Sequence, residues 1–224
     1  MISIFIGYDP REAVAYHVLC HSIMSRATLP VQIAPLALST LKSVLTRERH
    51  ALQSTDFSFS RFLTPHLSGY EGWSLFCDCD MLMLDDVAKL WALRDERFAV
   101  QVVKHDHAPY ETVKFLEKAQ TRYEKKNWSS VILFNNARCR DLTPAYVNMA
   151  SGLELHQFKW LADDRLIGEI PARWNHLVDY DPQLPPSELS LLHYTEGGPY
   201  FEAYKDCGYA DLWLLERQRM MRAG

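Results

Sequence analysis

Apolar residues in this chain come in short runs, separated by segments of helical spacing. That alternation is expected of a sheet layered with helices. Ile2 to Ile6 reads as a first buried strand, closed by Gly7-Tyr8-Asp9-Pro10. Asp9 can cap the helix that follows and Pro10 suits its first position. That helix is predicted to reach about Ser25. Val31 to Leu38 forms a second strand, and Trp73 to Cys77, Arg97 to Val103, Ser130 to Phe134 and Leu189 to His193 form further ones. Phe59 to Leu67 reads as helical, Thr143-Pro144 opens a helix toward Ser151, and Tyr209 to Arg222 is a helical tail. Ser39 to Ser60, with its basic cluster Arg47-Glu48-Arg49-His50, is expected to be a loop or short helix over the sheet edge. No repeat, low-complexity tract or linker divides the chain, so one α/β domain over residues 1–224 is expected.

Composition narrows the function classes. A hydrophobic content of 48% and a charged content of 23% are ordinary for a folded globular chain. The net charge of −4 argues against a nucleic-acid binder, which carries a basic surplus or stripe. No segment approaches the roughly eighteen apolar residues of a membrane span, and the start lacks a basic leader and a small-residue cleavage site. Cys20, Cys77, Cys79, Cys139 and Cys207 are scattered without paired spacing, which suits reduced thiols in a cytoplasmic protein better than a zinc site.

The sharpest chemical signal is Trp73-Ser74-Leu75-Phe76-Cys77-Asp78-Cys79-Asp80-Met81. An apolar strand delivers Asp78 and Asp80 to its carboxyl end, where open α/β sheets bind ligands. If the strand continues through both, residues two apart share a face and Cys79 points into packing. Two ionised carboxylates this close repel, and a hard divalent ion such as Mn²⁺ or Mg²⁺ relieves the repulsion while gripping a substrate diphosphate. Solvated acids in a turn are the alternative. A phosphatase of the haloacid-dehalogenase kind also has DxD after a strand, but near its N-terminus and followed by Thr or Val, where this chain has Leu82.

A second strand delivers His193 to the turn Tyr194-Thr195-Glu196-Gly197-Gly198-Pro199, whose Gly197 and Gly198 allow close approach to a ligand. Imidazole beside two carboxylates suits Mn²⁺ better than Mg²⁺, which prefers an all-oxygen shell.

With these residues in order along most of its length, the chain resembles glycosyltransferase family 8, the retaining GT-A enzymes that include glycogenin and bacterial galactosyltransferases. Ile2 to Asp9 resembles that family's first strand and nucleobase-contacting end, and Ser60-Arg61-Phe62 stands where it places a donor-contacting basic residue. Asp78-Cys79-Asp80 matches its metal motif, and Leu84 to Trp91 its usual sequel. Asn127 to Phe134 is similar to its FNSGV-like strand, Asp163 to Gly168 to its DQxxLN stretch, and His193 to Pro199 to its terminal HxxGxxKPW segment. Two departures stand out: no lysine precedes Pro199, and Asp164 replaces the usual Gln.

The resemblance implies a single GT-A-type, Rossmann-like domain with a mixed, mostly parallel central sheet flanked by helices. It implies transfer of a hexosyl unit from a nucleoside diphosphate sugar, UDP-linked by preference, to a glycan or other hydroxyl acceptor, with retention. Asp78, Asp80 and His193 would hold Mn²⁺ or Mg²⁺, Tyr8 and Asp9 would contact base and ribose, and Arg61 would lie near the donor. Arg61 or Lys205 would stand in for the missing lysine, and Asp163 or Asp164 would face the anomeric carbon unless both merely open a helix. A sugar-phosphate nucleotidyltransferase is one rival, although Gly7-Tyr8-Asp9-Pro10-Arg11-Glu12 is not its Gly-rich loop. A silent nucleotide- or glycan-binding module is the other. Three side features have plainer alternatives. His105-Asp106-His107 is a second metal candidate or a polar loop. Arg217, Arg219 and Arg222 with Met220 and Met221 are a peripheral lipid contact or a solvated helix face. Trp160 and Trp174 stack on sugars or pack in the core.

Overall fold

Strands and helices alternate for most of the chain, as the apolar pattern predicts. The computed structural model describes residues 1–48, 55–105 and 125–222. Arg49 and His50 of the basic cluster, and Asp106 and His107 of the second metal candidate, lie outside the described residues. The strands are β1 (Ile2–Gly7), β2 (Val31–Leu36), β3 (Trp73–Cys77), β4 (Met81–Met83), β5 (Val100–Val102), β6 (Val131–Asn135), β7 (Ile167–Glu169), β8 (His176–Leu177) and β9 (Leu191–His193). The α-helices are α1 (Ala13–Met24), α2 (Thr64–Leu67), α3 (Val87–Trp91), α4 (Pro144–Met149), α5 (Gly152–His156) and α6 (Ala210–Arg222).

Two sheets result. The six-stranded one has the order β2-β1-β3-β6-β5-β7, and the three-stranded one the order β4-β9-β8. In the large sheet β1 runs parallel to β2 and β3, and β5 parallel to β7. β6 is antiparallel to both of its neighbours. The central sheet is therefore mixed and mostly parallel. β3 and β6 are apolar runs without alternation because both faces are covered, and four of the five β3 residues and all five of β6 are buried.

Local signals set the helix starts. The Asp9 side chain accepts the Arg11 N–H and Pro10 opens a 3-10 turn, Pro10–Glu12, that leads into α1. Thr143 caps α4 ahead of Pro144, and Ser151 with Glu154 makes a capping box on α5. Gly7, the last residue of β1, lies under the Phe57 ring, where an added Cβ would meet the nearest ring carbon at 2.3 Å.

Most core residues form one cluster about the large sheet; a second cluster, with Val18, Leu82, Leu192, Tyr194 and Trp213, lies about the small one. Trp160 and Trp174 are buried in the first, the core alternative of the two considered. α6 closes the second cluster with Trp213 and is tied to α1 by buried Glu216, whose carboxylate meets His21 Nδ1 and an Arg26 nitrogen at 2.7 Å each. Among the described residues no helix is long and apolar enough to cross a membrane.

Candidate metal and donor site

The site forms where the chain leaves one sheet for the other. β3 ends at Cys77, one residue before Asp78, so the strand does not continue through both acids. The Asp78 N–H donates to the Ser130 carbonyl at 3.0 Å, and a bend at Cys79 and Asp80 carries the chain into β4. Met81 pairs directly with His193, and the Tyr194 N–H donates to the Asp80 carbonyl at 2.8 Å. The bend achieves what an unbroken strand would have: Asp78, Asp80 and His193 each offer one ligand atom, all within 4.8 Å of one another. Cys79 is fully buried in the core.

Asp78 is 8% exposed and His193 2%, so these charges sit where solvent screens them little. An Arg61 guanidinium nitrogen lies 2.9 Å from Asp78 Oδ1 and donates to the Ser129 carbonyl at 2.8 Å. His193 Nε2 is 3.5 Å from Asp80 Oδ1, a buried oxygen that accepts no hydrogen bond among the described residues. Burial, then the neighbouring charge of Asp80, pushes Asp78 up to about 7 against the pull of Arg61. Burial alone would lower His193, but the Asp80 and Asp78 carboxylates more than reverse that and raise it.

Three residues join the site that the motifs did not mark. Glu12, at the end of the first turn, accepts the Cys79 thiol at 3.3 Å, and burial followed by the Asp80 charge pushes it up to about 7. Asn175 accepts from His193 Nδ1 at 3.0 Å. The Tyr200 hydroxyl is buried with no hydrogen-bond partner among the described residues, and burial followed by the charges of Asp80 and Glu12 raises it well above the usual phenol range. An acid three residues after Asp9 was a visible signal for Glu12; nothing in the sequence near Trp174-Asn175 advertised a role.

The arrangement fits a divalent cation. Carboxylates crowd one small volume, Arg61 is the cation that pairs with Asp78, and a buried oxygen of Asp80 accepts no hydrogen bond among the described residues. Two carboxylates and an imidazole are a donor set suited to such an ion.

Other expected residues are placed as follows. Tyr8 is half-buried at the carboxyl end of β1, edge-on to Tyr16 at 5.3 Å. The Asp9 carboxylate is buried and engaged by Arg11 and the Asp56 N–H, which hold its pKa low despite burial. Gly197 and Gly198 lie on the turn after β9. A Cβ on either would strike the rings of Tyr204 at 2.6 Å or Tyr200 at 2.4 Å, so here the close approach is to aromatic side chains. Lys205 is exposed and pairs with Glu202. Asp163 caps the 3-10 turn Asp164–Leu166 and clamps Arg165, which lowers it to about 2. Asp164 is 67% exposed and pairs with Lys125 at 2.6 Å.

No protein-family model matches the chain. Protein CDI of Arabidopsis thaliana is 49% identical over 225 residues, covering 96% of this chain and 85% of that protein. The WbbM bifunctional glycosyltransferase superposes with a TM-score of 0.64 at 14% identity, over 99% of this chain and 51% of that one. The glycosyltransferase GlyE of Streptococcus pneumoniae TIGR4 gives 0.63 at 14% identity, over 96% and 60%. The galactosyltransferase LgtC, solved in complex with donor and acceptor sugar analogues, gives 0.60 at 14% identity, over 100% and 98%. The chain thus spans about half of WbbM and three-fifths of GlyE, but nearly all of LgtC. At these identities the likeness is one of fold, and the fold is that of the GT-A glycosyltransferases.

Proposed function

We propose that this chain, which belongs to the family of Protein CDI from Arabidopsis thaliana and is built on the GT-A fold, is a metal-dependent glycosyltransferase. It moves a hexosyl unit from a nucleoside diphosphate sugar, UDP-linked by preference, to a hydroxyl acceptor with retention. The observation that carries this reading is the convergence of Asp78, Asp80 and His193 where the chain leaves β3.

Asp78, Asp80 and His193 are the residues that would hold the ion, and the imidazole favours Mn²⁺ over Mg²⁺. When bound, such an ion supplies Lewis-acid stabilisation of the diphosphate leaving group. Arg61 keeps Asp78 aligned and balances its charge from a buried position. Tyr8 and the turn held by Asp9 follow β1, the strand beside β3, which supports a role at the nucleoside. Asp163 is held by Arg165 and Asp164 by Lys125, and Asp164 is the candidate to face the sugar because it stands at the Gln position of the DQxxLN-like stretch. The turn at Gly197 and Gly198 then borders the donor from the His193 side.

The test is release of free nucleoside diphosphate from a panel of nucleotide sugars with Mn²⁺. Release that EDTA and Asp80→Asn both abolish is expected. Nucleotide binding without turnover of any donor would contradict the enzyme and favour a silent binding module.

A further inference from the structure

The three metal-site side chains come from different places. Asp78 follows β3 of the large sheet, His193 ends β9 of the small one, and Asp80 lies in the bend between. Something must hold the two sheets in register at the site, and something must choose which imidazole nitrogen carries the proton. Asn175, fully buried just before β8, touches both problems.

Its amide orientation is fixed by its surroundings. Nδ2 donates to Ser130 Oγ at 2.8 Å and toward the Asn127 carbonyl at 3.4 Å. Ser130 Oγ itself donates to that same carbonyl at 2.7 Å, so its lone pairs receive the amide. The Asn175 oxygen therefore faces His193 Nδ1 at 3.0 Å, and an acceptor there requires Nδ1 to be the protonated nitrogen. The other nitrogen, Nε2, is the one that faces Asp80. The Ser130 residue that receives the amide also accepts the Asp78 N–H through its carbonyl. One side chain thus joins the His193 ring to the backbone that anchors Asp78.

We propose that Asn175 is the positioning residue of the metal site: it holds neutral His193 as the Nδ1–H tautomer, presents the Nε2 lone pair to the ion, and fixes the small sheet against the Asp78 anchor. This inference rests on the metal reading of the same site. Hydrogen-bond partners behind a ligating histidine commonly set metal affinity by about 10- to 100-fold.

The test reads the tautomer directly and needs no turnover. Long-range ¹⁵N–¹H spectra of histidine-labelled protein, followed to alkaline pH until the His193 ring no longer titrates, are expected to show Nδ1 protonated in the wild type. Asn175→Asp retains an acceptor and should retain the tautomer. Asn175→Leu should shift His193 toward Nε2–H and weaken Mn²⁺ binding in calorimetry by about tenfold or more. Ser130→Ala should keep the tautomer, because the Asn127 carbonyl still receives the amide and keeps its oxygen toward Nδ1. An Nε2–H tautomer in the wild type overturns the proposal without any variant, so a misfolded Asn175→Leu does not leave it open. Wild-type protein that binds no Mn²⁺ defeats the underlying metal reading and the proposal with it. Mn²⁺ binding with unchanged affinity in folded Asn175→Leu defeats the proposal alone.

Discussion

Replacing Glu12 by Gln should make the metal-free protein more stable at alkaline pH and leave it nearly unchanged at acidic pH. Glu12 shares its surroundings with Asp80, Asp9 and Asp78, and burial followed by the Asp80 charge raises it from an ordinary 4.5 up to about 7. The sign follows from which state holds the proton. Below about 4.5 Glu12 is protonated in both states and costs nothing. Between 4.5 and about 7 the unfolded chain has released the proton and the folded protein keeps it, so stability falls as pH rises. Above about 7 the fold carries the whole cost, roughly 3 kcal/mol at about 1.4 kcal/mol per pH unit. Because Asp78 is raised to a similar value in the same cluster, the proton belongs to the group of acids, and this figure is an upper bound for one substitution. Urea unfolding in EDTA at about pH 5, 6, 7 and 8 gives the difference between wild type and Glu12→Gln. The comparison cancels buried His156, lowered to about 3 by burial and by Arg61, whose own contribution runs the opposite way below about pH 6.5. Saturating Mn²⁺ at pH 8 should shrink the gap, since a bound cation relieves the repulsion. A difference that stays constant from pH 5 to pH 8 would refute the reasoning.

Arg61→Ala should destabilise the protein by about 3–5 kcal/mol in urea unfolding, because it leaves Asp78 buried without its cation; a cost under about 1 kcal/mol would show that the pair is dispensable. Asp164→Asn should lower donor turnover at least about tenfold, as expected of a carboxylate supporting an oxocarbenium-like state, while Asp163→Asn should change it little. Wild-type rates in both variants would remove the pair from catalysis and leave Asp163 its turn-capping role.

The elements that sequence revealed are those with enough length to show a period. β1, β3 and β6 are five or six residues of nearly unbroken apolar sequence, and α1 and α6 run 12 and 13 residues. The small sheet was only partly visible. β9 could be seen as the end of an apolar run, but β4 and β8 are three and two residues long, too short for any alternation to register. That sheet also explains how Asp78 and Asp80 meet: by a bend between sheets, a geometry that strand periodicity does not encode. Asp78 and His193 were legible because each ends an apolar run, and Asp80 because it completes the acid pair with Asp78. Asn175 was not, since its partners lie 18 and 45 residues away and its value comes wholly from tertiary placement. Glu12 is intermediate: its helix start was legible, while the bond to Cys79 joins it to the site across 67 residues.

The central claim is that a divalent ion and a nucleoside diphosphate meet on Asp78, Asp80 and His193. Calorimetric titration of UDP into the wild-type protein, once with saturating Mn²⁺ and once with EDTA, tests it most directly, with Asp80→Asn alongside. The account predicts that Mn²⁺ tightens UDP binding at least about tenfold, a coupling of about 1.4 kcal/mol, and that Asp80→Asn abolishes the difference. UDP affinity that is equal in Mn²⁺ and in EDTA for the wild type would contradict it.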